Sequence, residues 1–106
     1  MFAVIYSFQI KPNHENEFLD AWKGLTNLIY EYEGSLGSRL HKEKDDHYIA
    51  YAQWPDKSTW KNSGGNLPES ANLVRLQMKN SCEKIETLFE LDMVEDLLKE
   101  ETKRNP

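Results

Sequence analysis

Arg39, His41 and Tyr51 are the residues of this chain best suited by type to acid–base and anion chemistry. Arg39 and His41 stand two apart within a run of strand length, so they project to the same side of an extended chain. If the turn after that run holds three residues, Arg39 lies opposite Tyr51 and His41 opposite Ile49 on the next strand. An imidazole titrates near neutral pH and can take a proton from an acidic hydroxyl, a guanidinium can hold the resulting anion, and a phenol can hydrogen-bond it. The same three residues would also serve as polar contacts on a face buried against a second subunit, which is the stronger reading by residue type alone.

A second set is aromatic. Trp22, Trp54, Trp60 and Tyr6 would, if they converge, line a flat pocket between a sheet and its helices and hold a planar ring system. Taken singly, each sits on an apolar stripe or at an element boundary, where packing alone accounts for it. Cys82 is the single cysteine, which rules out an intrachain disulfide and reads as a small buried hydrophobe. His14, His41 and His47 lack the helical separation of a zinc pair, and no Cys/His cluster supplies ligands, so no metal is expected. Gly34 and Gly37 fall between a helix and a strand, and Gly64–Gly65 lacks a third glycine, so a dinucleotide cofactor is not expected either.

The elements that must position these residues are legible from periodicity. Phe2, Val4, Tyr6, Phe8 and Ile10 alternate with Ala3, Ile5, Ser7 and Gln9, a strand whose second face is only half polar and therefore calls for cover on both sides. Pro12 and Asn13 break it, and Asn13 is placed to cap a helix in which Phe18, Ala21, Trp22, Leu25, Leu28, Ile29 and Tyr32 form one apolar stripe. Gly24 within that stripe costs about 1 kcal/mol relative to Ala, which suggests close packing against the sheet. Gly34 can close the helix in the left-handed conformation. Leu36–Glu43 and His47–Trp54 then read as a hairpin turning at Lys44, Asp45 and Asp46. Pro55 suits a first helical turn, and Asp56 can cap a short helix to about Asn62. After the break at Gly64, Gly65 and Asn66, Pro68 opens a helix with Ala71, Val74 and Met78 on one face and Leu73 and Leu76 widening it. The run from Ile85 to Met93 fits both a strand and a helix period; strand is preferred because a fourth strand completes a sheet able to carry two helices.

The order β, α, β, β, α, β is the ferredoxin-like arrangement of an α+β domain, a four-stranded antiparallel sheet with helices on one face. It leaves the other face, with Ala3 and Ile5, in need of a partner, and a symmetric homodimer pairing two sheets would supply one. At 106 residues the chain is one domain, expected over residues 1–98, with 99–106 a charged, frayed tail. Net charge −5 with 39% hydrophobic residues fits a soluble globular protein and argues against a nucleic-acid partner. No apolar run approaches the roughly 20 residues of a membrane span, and the N-terminus lacks a basic leader, so a cytoplasmic location with no membrane association is expected.

The passages FQIKPNHENEFLDAW, EGSLGSRLH and above all YIAYAQWPDKSTW, with Trp54 ending a strand and Trp60 on a helix, resemble the antibiotic biosynthesis monooxygenase superfamily. The resemblance covers most of the chain and implies a dimeric α/β barrel. It further implies oxidation of a small phenolic, quinol or polyketide-like aromatic by molecular oxygen, with neither flavin nor metal. Such chemistry needs a group to take a phenolic proton and donors for the anion, roles for which Arg39, His41 and Tyr51 are the candidates by type, with Trp54, Trp60, Trp22 and Tyr6 around the substrate. Relatives of the same fold also serve as non-catalytic dimeric ligand-binding or stress-response modules. Haem-degrading relatives use an Asn, a Trp and a His at places taken here by Tyr6, Ser63 and Leu73, and no His follows His47, so that chemistry is not expected.

Overall fold

A computed structural model describes residues 1–99. Its elements follow the expected order: β1 (Phe2–Ile10), α1 (Glu15–Glu33), β2 (Gly37–Lys44), β3 (His47–Trp54), α2 (Lys57–Lys61), α3 (Ala71–Ser81) and β4 (Cys82–Asp92). The strands form one antiparallel sheet in the order β2-β3-β1-β4, with the helices on one side, the ferredoxin-like α+β arrangement. No described helix is long and apolar enough to cross a membrane. Of the charged tail, residues 100–106 lie outside the described residues.

Strand alternation decides which residues reach the core. Phe2, Val4, Phe8 and Ile10 of β1 and Tyr48, Ala50, Ala52 and Trp54 of β3 are all buried on the helix side, in two apolar clusters. Phe18 of α1 is fully buried between Phe8 and Tyr48, its ring centroid 5.1 Å from one and 5.3 Å from the other. Among the described residues no helix lies on the opposite face of the sheet.

Several boundaries have local causes that differ from the sequence expectation. Asn13 does not cap α1: it takes a left-handed conformation (φ 66°) in the turn after Pro12, and His14 becomes the N-cap without a side-chain capping bond. Asn tolerates that conformation better than most residues, and the strain of a turn outranked its value as a cap. Gly34 ends α1 with φ 81°, as expected. Gly24 lies against α3 rather than the sheet, since a Cβ there would sit 3.5 Å from a Val74 methyl. On α3 the stripe of Ala71, Val74, Met78 and Ser81 faces inward, whereas Leu73 (76% exposed) and Leu76 (54% exposed) lie off that stripe and face outward. The helix is therefore narrower in its apolar face than expected.

The hairpin keeps the expected register, Arg39 opposite Tyr51 and His41 opposite Ile49. It does so by a bulge at Glu43, between the Lys42 and Lys44 pairings, followed by a tight Asp45–Asp46 turn with Asp46 at φ 60°. On β4 another irregularity falls between the Ile5 and Tyr6 pairings and leaves Leu88 without a β1 partner, which is why this segment satisfies two periods in the sequence.

Asp56 caps α2 as its sequence position predicts, its carboxylate accepting from the Thr59 N–H at 2.7 Å and from the Thr59 hydroxyl at 2.8 Å. These bonds, the backbone one first, hold its carboxyl below the usual range. A depressed folded pKa means stability that is present above the unfolded value and lost as pH falls through the folded one. Asp56→Ala is therefore expected to lower the Tm by a few degrees at pH 7 and to have little effect at a pH low enough to protonate Asp56 in the parent. A Tm difference that persists unchanged in acid would show that the cap is not its source.

Candidate functional site

Between the sheet and the helices lies a cavity of about 510 Å³. Its floor is the helix side of β1 and β3, where Tyr6, Ala50, Ala52 and Trp54 meet it. Ala50 and Ala52 put only methyl groups where the flanking Tyr48 and Trp54 put rings, so the space is written into β3 itself. Trp22, Leu25 and Ile29 of α1 form one wall, Arg75, Met78 and Lys79 of α3 another, and Ser35 and Ser38 reach it near the start of β2.

The two polar aromatic residues of this floor differ in what they already bind. The Tyr6 hydroxyl accepts a hydrogen bond from the Trp60 indole N–H at 2.9 Å, which leaves its own proton available to a ligand. Burial raises its pKa, against a smaller lowering by the Trp60 bond and with a further push upward from Glu90, so it stays a neutral donor at physiological pH. Trp54 is 3% exposed, and its indole N–H is buried with no hydrogen-bond partner among the described residues. An orphaned buried donor of this kind costs about 1–3 kcal/mol, and since the nitrogen has essentially no accessible surface it is the rest of the Trp54 ring that meets the cavity.

The structure thus brings Tyr6, Trp22 and Trp54 together at one cavity. Trp60 stands behind it, holding Tyr6 and packing on Phe2 at 5.7 Å between ring centroids. Arg39, His41 and Tyr51 are brought together as well, but on the other side of the sheet. Since Ala50 and Ala52 face the cavity, Ile49 and Tyr51 between and beside them face away, and Arg39 and His41 follow by register. There the Tyr51 hydroxyl donates to Gln53 Oε1 at 3.3 Å, and Tyr51 and Ala3 share a shallow groove with residues of the 91–98 segment.

Other polar constellations gave no sequence signal. Glu33, at the end of α1, is 6% exposed and accepts from the Gly64 N–H and from Asn66 Nδ2 (3.1 Å), while the Gly64 carbonyl accepts from Arg75 at 3.3 Å. The break between α2 and α3 is thereby tied to the cavity wall. On the open face His47 joins Ser7 (Nε2 to Oγ, 2.8 Å) and Glu43 (Nδ1 to Oε1, 2.9 Å). This has the connectivity of a nucleophile, base and orienting acid, but β1 is a central strand whose backbone N–H groups are committed to ladders on both sides. Among the described residues that pairing leaves Ser7 no backbone oxyanion-binding donors, and the three residues act as a brace between β1 and the hairpin. Among the described residues no group of three or more His, Cys, Asp or Glu gathers as a metal site would require. The buried Cys82 thiol has its pKa raised by desolvation, which keeps it protonated and unreactive.

Comparison with known proteins extends these observations. The fold matches SnoaB, a cofactor-independent oxygenase from Streptomyces nogalater, with TM-score 0.74 and 13% identity over 92% of this chain and 97% of that one. It matches Rv0793 from Mycobacterium tuberculosis with TM-score 0.70 and 12% identity, covering 92% of this chain and 98% of that one. A conserved protein from Methanosarcina mazei Go1 matches with TM-score 0.65 and 16% identity over 82% of this chain and 89% of that one. No curated protein matches the chain in sequence. The family model for antibiotic biosynthesis monooxygenase matches residues 1–66, from the first residue through β1, α1, the hairpin and α2, and the chain belongs to that family.

Proposed function

We propose that this protein is a cofactor-independent monooxygenase acting on a small phenolic, quinol or polyketide-like aromatic with molecular oxygen, and that the cavity between sheet and helices is its substrate site. The observation that carries this reading is the neutral Tyr6 hydroxyl, its proton left free by the Trp60 bond, on the floor of a cavity that Trp22 and Trp54 also line. Such a donor suits a ring oxygen that gains negative charge as the substrate becomes electron-rich enough to react with oxygen. Membership of the family supports the class of reaction. Oxygen uptake with a panel of hydroquinones and polyketide-like phenols, run with and without air, tests it; no uptake above the buffer rate with any member would overturn it.

A second reading, a dimeric ligand-binding module without catalysis, is favoured by one feature. Among the described residues no imidazole or carboxylate lines the cavity, so they build no proton acceptor into its walls. Saturable binding without oxygen uptake would select it.

The open sheet face is, in this proposal, where two copies pair. Ile5 of β1 lies between Tyr51 of β3 and Phe89 of β4, and Phe89 (58% exposed) and Leu91 (44% exposed) extend an apolar surface that no helix or strand among the described residues covers. Arg39, His41 and Tyr51 would then be polar contacts between subunits. Size-exclusion chromatography with light scattering should report a dimer for the parent and a monomer for Ile5→Asp, since an unpaired carboxylate in that face would have to be desolvated. A parent that runs as a monomer at micromolar concentration would sink the pairing.

A further inference from the structure

Among the described residues the cavity carries formal charge on one wall only. Arg75 and Lys79 stand four residues apart on the same side of α3 and both line the cavity, whereas no described Asp or Glu does. Among the described residues neither cation is paired with a carboxylate. This is a local reversal in a chain with 18 acidic and 13 basic residues, whose long-range field disfavours anions.

Arg75 is also held in place. It is half-buried, and its guanidinium donates to the Gly64 carbonyl at 3.3 Å, while Glu33 binds the N–H of the same glycine. A guanidinium has five N–H donors in a fixed fork, so one bond to a carbonyl anchors it with donors to spare. Lys79, one turn on, is exposed and adds a mobile charge at the rim.

We infer that the preferred ligand of this cavity is an aromatic acid, its ring seated among Tyr6, Trp22 and Trp54 and its carboxylate received by Arg75 and Lys79. The inference rests on the cavity being the aromatic site proposed above. A carboxylate attached to a ring extends in the plane of that ring and offers the guanidinium fork two oxygens, so one planar molecule satisfies both the floor and the α3 wall.

The test compares 2-naphthoate with 2-naphthamide, which share ring and shape but differ in charge, by quenching of tryptophan emission in the full chain. The naphthoate should bind about tenfold tighter or more, as expected when a charge-assisted bond replaces a neutral one, and its advantage should shrink with added salt. In the Arg75→Gln, Lys79→Gln double variant that advantage should disappear. Equal affinities in the parent would overturn the preference for acids while leaving the aromatic site standing. A preference that survives in the double variant would overturn its assignment to these two cations. Failure of both probes to quench would remove the site reading together with the inference.

Discussion

Phe18→Ala is expected to destabilise the protein by about 3–5 kcal/mol, the range for removing a fully buried aromatic ring. Phe18 is fully buried and packs with tilted geometry on Phe8 and Tyr48, so its ring joins α1 to β1 and β3 at once. Each such aromatic pair contributes about 0.5–1.5 kcal/mol beyond its buried area. A domain of this size has about 5–15 kcal/mol in total, so the variant should sit near the edge of folding. Urea denaturation at fixed protein concentration should show a lower midpoint with an unchanged slope. Phe18→Leu should recover a large part of the loss by refilling the space. A loss below about 1 kcal/mol for the Ala variant would mean that α1 closes onto the sheet and leaves no void.

The parts of the structure that were legible in the sequence are those governed by local periodicity. The β3 limits, His47 and Trp54, and the close of α1 at Gly34 follow from alternation and from one residue type that tolerates positive φ. The face on which Arg39, His41 and Tyr51 lie was legible only in part. Register put the three side by side, but alternation within β3 alone does not say which of its sides the helices will cover. That is decided by the bulk of Tyr48 and Trp54 against Ile49 and Tyr51, and by where α1 crosses, which is a tertiary matter. Ala50 and Ala52, two small residues between the rings of Tyr48 and Trp54 on one face, are the local signature of the cavity.

Glu33 was not legible at all. A Glu in the last turn of a helix is disfavoured by the helix dipole and reads as a solvated residue. Its value lies in accepting from Gly64 and Asn66, some thirty residues later, across a loop whose path no periodicity dictates. The same holds for Arg75, whose place at the cavity depends on that loop being tied down.

Trp54→Phe is expected to lower the rate of oxygen uptake with a phenolic or hydroquinone substrate by about ten- to a hundredfold, with a much smaller effect on folding stability. If Trp54 turns its N–H to the substrate anion, loss of that hydrogen bond to a charged acceptor is worth about 1.5–3 kcal/mol, which spans that range. The two readouts separate because the Trp54 N–H is unpaired in the protein alone. Removing it relieves about 1–3 kcal/mol of desolvation cost, which offsets the packing lost with the smaller ring. Tyr6→Phe should behave differently. It takes the acceptor from the Trp60 N–H, so stability falls along with the rate. A Trp54→Phe protein with full activity, or one whose activity falls only in step with its stability, would remove Trp54 from the substrate site. Should His41→Ala or Tyr51→Phe instead abolish uptake in a protein that still pairs, the chemistry would belong on the open face of the sheet and not in the cavity.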